Sequence, residues 1–386
     1  MTSKVHEINI HNIICYVILI PFLNPRGFYD VVPHYKSFMT AWVYLALLLI
    51  VLEIFLRYKG NVICMEKKAE IAVFSYFISI VLITLIAQGG LHEGLQNIIS
   101  TPFLCIYDIL CLRDNPRQLI KSLTNILIIL FLLNLTVFNP YIMQYKIAEY
   151  HIIFLGHIQV AAQFGALGML CSALDYKYRK KHAILLCVLS VLTMLTSTAS
   201  SAILVVVMLL VFSVLVIFKV YGIFCKGIPV YVLLYTIFSA ILVMGNVRLP
   251  GFIISMLNSR QSIWSVALQQ VKNAPLIGYG VQGVTLELYW GGKFNYAHSQ
   301  FAQNLLDGGI VLSIMFFVMF VSVAFCIRKT ENKILRSIGT LIVLAFMCVA
   351  LFDSVSFYPY FMLTLMILMY LPNISKIQSK NVLEIE

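Results

Sequence analysis

Long apolar runs broken by short polar segments dominate the chain. Ala202 to Phe218, for example, is interrupted only by Ser213. Runs of this length, without the every-second-residue alternation of a barrel strand, predict membrane-spanning helices rather than a β-barrel. Twelve such segments are expected, at residues 8–23, 38–56, 71–87, 96–112, 123–138, 153–174, 183–198, 202–222, 229–247, 309–327, 338–353 and 359–372. The predicted architecture is therefore all-α, a single integral membrane domain over residues 1–386. Pro21-Phe22-Leu23-Asn24-Pro25 stands where a signal-peptide cleavage site would need small residues, so the first segment is expected to stay as a helix.

Composition agrees with this reading. Hydrophobic residues make up 61% of the 386 and charged ones 11%, against roughly 45–50% and about 25% in soluble domains. The formal charge of +11 would suggest a nucleic-acid partner in a soluble protein, but in a membrane protein its placement matters more. With the N-terminus inside, 20 of the 27 Lys and Arg fall in alternate connections. The positive-inside rule then predicts that both termini are cytoplasmic and that the charge mainly fixes orientation, with no nucleic acid involved. No cysteine lies in an outward connection and no metal-ligand spacing occurs, so neither a disulfide framework nor a cofactor is expected.

One outward segment is exceptional. Residues 248–299 are too long for a simple connection and too rich in aromatic residues for disorder. Within it Ile263, Trp264, Ala267, Leu268 and Val271 share one helical face, which predicts a helix over 259–272 lying along the membrane surface with Trp264 at headgroup depth. Arg260 in its first turn opposes the helix dipole, an arrangement that suits either a bound anion or a side chain reaching for lipid headgroups. The run Gly278-Tyr279-Gly280-Val281-Gln282-Gly283 follows no strand, so it predicts a re-entrant turn over the bundle rather than a nucleotide loop. His298 then stands at the start of a helix entering the membrane, where an imidazole can be structural or can move protons.

Ionisable groups inside the spans are scarce. Glu53, Asp108 and Asp353 lie near helix ends and are expected to reach either the interface or a local partner. His157, Gln159 and Gln163 form the one polar cluster in a span, expected to serve interhelical hydrogen bonds.

Ser259-Arg260 with Trp264, Pro275-Leu276-Ile277-Gly278-Tyr279-Gly280, and Ala297-His298-Ser299 with Gly309 eleven residues after the histidine together resemble the O-antigen ligase/polymerase superfamily. The opening Ile20-Pro21-Phe22-Leu23-Asn24-Pro25-Arg26-Gly27-Phe28 is similar to the start of Wzy-type capsule and O-antigen polymerases. The resemblance implies a membrane-embedded, GT-C-like, metal-independent inverting glycosyltransferase of the cytoplasmic (inner) membrane. Its substrates would be oligosaccharide repeat units on undecaprenyl pyrophosphate, presented at the outer face of the bilayer and joined into O-antigen or capsular polysaccharide. A chain-length regulator protein is a further partner that the family implies. Arg260 and His298 would be catalytic, the first neutralising pyrophosphate and the second acting on the acceptor hydroxyl or holding pyrophosphate. Arg248, Trp264, Lys293 and Tyr296 would bind substrate.

Two positions depart from the family. Leu312 replaces a second glycine of the ligases, which favours a polymerase over a ligase. Ser200 stands where many members carry an arginine, so a second cation must come from Arg248 or Arg26. A lipid-linked oligosaccharide flippase also has about twelve spans, but it would show charges along them and only short connections.

Overall fold

A computed structural model describes residues 10–29, 31–58, 68–88, 93–138, 145–147, 150–217, 221–245, 257, 260–289 and 291–383. Arg248, Ser259 and Trp290 lie outside the described residues. The helices are α1 (Ile10–Phe22), α2 (Tyr35–Tyr58), α3 (Lys68–Gln88), α4 (Glu93–Asp114), α5 (Pro116–Leu135), α6 (Val160–Asp175), α7 (Lys180–Thr196) and α8 (Ser200–Ile217). They continue with α9 (Tyr221–Lys226), α10 (Ile228–Met244), α11 (Arg260–Asn273), α12 (Gln300–Arg328), α13 (Lys333–Phe352) and α14 (Pro359–Leu383).

Each predicted span overlaps one of these helices. Among the described residues six helices, α2, α3, α5, α12, α13 and α14, are long and apolar enough to cross a membrane. The chain is thus an all-α, multi-pass membrane protein with little sheet. Local chemistry sets several ends: Asn115 accepts from the Gln118 N–H with Pro116 at the first helical position of α5, and Asn332 accepts from the N–H groups of Ile334 and Leu335 to start α13. Among the six, α14 is the most enclosed, 78% of its apolar window being buried, and α2 the least, at 22%. The first therefore forms the centre of the bundle and the second its rim.

One predicted span needs correction. Residues 153–159 are not helical: Tyr150–Ile153 (β2) and Gly156–His157 (β3) pair antiparallel, with Tyr145–Ile147 (β1) on the other side of β2. The reason is a backbone partner. The N–H groups of Arg26 and Gly27 donate to the carbonyls of Leu155 and Phe154 at 3.2 and 3.1 Å, so these carbonyls serve the Arg26–Phe28 turn instead of a helix. Gly27 permits the approach, because a Cβ there would lie 2.1 Å from the Ile153 carbonyl oxygen.

The described part of the long segment is built around α11 and a hairpin of β4 (Leu286–Glu287) and β5 (Lys293–Phe294). The expected helix is present, but Trp264 is 1% exposed, which corrects its placement at headgroup depth. With Ile263 and Ala267 it enters a second apolar core formed with Leu286, Leu288, Ala297, Leu306 and Phe352. The apolar face of α11 thus finds protein, and burying the indole there removes more apolar surface from water than an interfacial position would.

The glycine-rich run folds back onto α12, as a re-entrant turn should. Gly309, at φ 60 and ψ −153, interrupts that helix. The opening admits Pro275 and Leu276, whose carbonyls accept from the N–H groups of Ile310 and Val311 at 2.9 and 3.3 Å. Tyr279 and Gly280 donate in turn to the carbonyls of Leu306 and Asp307, at 2.8 and 2.9 Å. Broken helical hydrogen bonds are thereby replaced by bonds to the loop, which is how a membrane helix tolerates a kink.

Candidate active site

Connections that are distant in sequence meet at one end of the bundle. Arg26 from the α1–α2 connection, His157 and Gln159 before α6, Gln282, Asn295 and Tyr296 from the long segment, and Asp353, Ser354 and Tyr358 between α13 and α14 line one cavity of about 270 Å³. Such a mixture of cation, carboxylate, imidazole, amide and phenol suits a polyhydroxylated ligand.

Asp353 follows the last residue of α13. It accepts from the Ser354 N–H at 2.8 Å and from Gln163 Nε2 at 3.4 Å, so Gln163 does make the interhelical bond expected of it. Burial pushes the Asp353 carboxyl up to about 6, while the Ser354 N–H, the Arg260 charge and Gln163 pull it down. Across the cavity the Arg26 guanidinium lies 5.1 Å from the centroid of the Tyr358 ring, a cation–π contact that fixes its direction.

Arg260 stands behind this wall. Its Nε donates to the Phe352 carbonyl at 3.3 Å and its guanidinium lies 5.7 Å from the Phe352 ring centroid. Burial lowers its proton affinity, and Asp353 and Tyr296 raise it. An arginine in that setting stays cationic.

His298 is built from below. Trp264 Nε1 donates to the Ala297 carbonyl at 2.9 Å, and the Ala297 N–H donates to Gln303 Oε1 at 2.8 Å. These bonds hold His298 at φ 49, outside the helix that starts at Gln300. Its ring packs 4.2 Å from the Tyr296 ring and 5.7 Å from Phe294. Nδ1 is buried and has no hydrogen-bond partner among the described residues. Burial first, and then the charges of Arg260 and His157, push this imidazole down to about 3, so it is neutral at physiological pH.

Of the residues expected from the sequence, Arg260, His298 and Tyr296 are brought together and Trp264 supports them from within the core. Lys293 is not: it pairs with Glu287 at 2.7 Å on the exposed hairpin. The Ser197–Ser201 turn contains no cation, and Arg26 is the described arginine on the cavity wall. Gln282, Asn295, Ser354 and Tyr358 also line the cavity but are not among the site residues the sequence indicates. The one available signal was their position in connections predicted to face outward.

Residues 184–317 match the family model described as O-antigen ligase. The match bears out the resemblance carried by the long segment. It spans α11, Tyr296 and His298 but stops short of Arg26, His157 and Asp353, which join the site through the fold alone. No curated protein matches the chain.

Proposed function

We propose that this member of the O-antigen ligase/polymerase superfamily is a polysaccharide polymerase. It joins undecaprenyl-pyrophosphate-linked repeat units at the outer face of the cytoplasmic membrane, with both termini inside. The observation that supports this reading best is the meeting of Arg26, Asp353 and Tyr296 on one cavity wall with Arg260 and His298 immediately behind it.

In the reaction, a hydroxyl of a single lipid-linked unit attacks the anomeric carbon that joins the growing chain to its pyrophosphate. The carbon–oxygen bond to pyrophosphate breaks, the configuration inverts, and polyprenyl pyrophosphate leaves. Asp353, the carboxylate of the cavity wall, takes the hydroxyl proton. Arg26 and Arg260 stabilise the charge that develops on the leaving group, so a metal ion is not required. Neutral His298 orients the reacting groups, and Tyr296 contacts sugar.

The family description favours a second reading with the same chemistry, a ligase that passes finished polymer to another acceptor. Gene deletion followed by sizing of surface and lipid-linked glycans separates the two. Loss of a polymerase leaves single units on the final acceptor, whereas loss of a ligase strands long chains on the lipid. Single units trapped on the inner side would instead indicate a flippase and overturn both. Normal chain lengths after complementation with Arg260→Ala and with His298→Ala, at normal expression, would remove these two residues from the site.

A further inference from the structure

A second cavity adjoins the first and shares Arg26 and Gln282 with it. At 450 Å³ it is the larger of the two. One wall is a stripe of α2: Lys36, Thr40, Val43, Tyr44 and Leu47, spaced as one face of a helix. From Lys36 to Leu47 the stripe runs about 16 Å down the helix, cationic at the outer end and apolar below. Phe22 of α1 and Ile99 of α4 form the facing apolar wall. Among the described residues no carboxylate lines the groove, and neither Arg26 nor Lys36 takes part in a salt bridge. Because α2 is the rim helix, with Tyr44 52% and Leu48 65% exposed, the groove lies beside the lipid-facing side of the bundle.

We propose that this groove seats the polyisoprenoid diphosphate of the donor substrate, its diphosphate between Arg26 and Lys36 and its first isoprene units along Val43 and Leu47. The assignment rests on the glycosyl-transfer reading above. Charge complementarity selects the head: two cations that have no carboxylate partner among the described residues suit a diphosphate, and a guanidinium can bind one through paired hydrogen bonds. The apolar depth selects the tail. Arg26 selects the donor over the acceptor. The diphosphate that departs is bonded to the reacting carbon and must therefore lie at the border between the two cavities, which is where Arg26 stands. The acceptor's own diphosphate is separated from its reacting hydroxyl by a whole repeat unit. Backbone bonds to Leu155 and Phe154 and the Tyr358 ring hold Arg26 at that border.

The test uses the full-length protein in lipid nanodiscs and a diazirine-bearing polyprenyl diphosphate, with cross-linked peptides mapped by mass spectrometry. Labelling is expected between Lys36 and Leu47 of α2, displaced by unlabelled undecaprenyl diphosphate and not by phosphatidylglycerol. The double variant Arg26→Gln, Lys36→Gln should reduce it at least tenfold. Val43→Trp, which fills the apolar half and leaves both cations, should reduce it as well. Equal displacement by phosphatidylglycerol would show an ordinary headgroup site and overturn the proposal, as would labelling unaffected by Val43→Trp. Labelling elsewhere in a protein that still supports polymer formation in cells overturns the groove alone. Labelling at α2 in a protein whose deletion leaves glycan lengths unchanged supports the groove and overturns the polymerase reading.

Discussion

The indole nitrogen of Trp264 donates to the carbonyl of Ala297 across 2.9 Å, tying the interior face of α11 to the residue before His298. The bond makes an apolar core residue into a support for the site. Trp264→Phe retains most of the buried apolar surface and leaves the Ala297 carbonyl without its donor, a loss of about 1–3 kcal/mol. The variant is expected to insert normally, to unfold earlier in a detergent thermal melt, and to yield shortened polymer. Full-length polymer with an unchanged melt would show that His298 does not depend on this bond.

Gly309 has a backbone conformation that side chains do not tolerate, and a Cβ there would lie 2.3 Å from the Leu276 carbonyl carbon. Gly309→Ala is therefore expected to expel the Pro275–Gly280 segment from the α12 kink. The backbone strain alone costs about 1–3 kcal/mol, and polymer formation should be lost with it. Gly222→Ala is the control, since a Cβ at that position meets nothing within 4 Å. Size-exclusion profiles after heating distinguish the two. Equal behaviour would mean that the kink is not rigid.

The helices were legible because apolar runs report directly on burial in lipid, and Arg260 and His298 were legible because they lie on one contiguous stretch. Arg26 and Asp353 were visible only as a spare cation and an end-of-helix carboxylate. What makes them neighbours is a backbone pairing of Arg26 with Leu155 and a hydrogen bond from Gln163, contacts between segments more than a hundred residues apart in sequence. The periodicity of α11 showed that one face is apolar but not what covers it. Lipid and the core around Leu286 and Phe352 satisfy the same pattern, and the structure chooses the core. The strand placement of His157 has a related cause: an apolar stretch beside a real helix looks helical until a partner claims its carbonyls.

At the opposite end of the bundle, Arg113 pairs with Glu70 at 2.9 Å and donates to the Tyr370 hydroxyl at 2.9 Å, joining α4, α3 and α14. Glu70 is fully buried. Arg113→Met takes this ion pair from a buried carboxylate that also accepts from the Tyr370 hydroxyl, a change expected to cost up to about 3–5 kcal/mol, whereas the double variant Arg113→Met, Glu70→Met should recover much of the loss. Unfolding in detergent of the two single variants and the double gives the coupling. Additive losses would mean that the pair contributes no interaction of its own.

Two groups at the candidate site are shifted in opposite directions. His298 is pushed down to about 3 by burial, with Arg260 and His157 adding to the effect. The unfolded chain binds that proton more readily, so the histidine's contribution to stability is complete above its ordinary value of about 6.5 and is lost as pH falls towards 3. Asp353 is raised by burial to about 6. Its contribution is greatest below its ordinary value of about 3.9 and is lost as pH rises through 6. In the proposed reaction the proton acceptor must be ionised, so with Asp353 in that role the rate of chain extension is expected to rise through pH 6. Asp353→Asn should abolish that limb and lower the rate by about 10²–10⁴. His298→Asn, a residue that accepts the positive φ at this position, should lower the rate but keep the limb. Chain extension in nanodiscs between pH 5 and 8 decides the matter. A limb that disappears with His298→Asn and survives Asp353→Asn would return the proton-accepting role to the histidine.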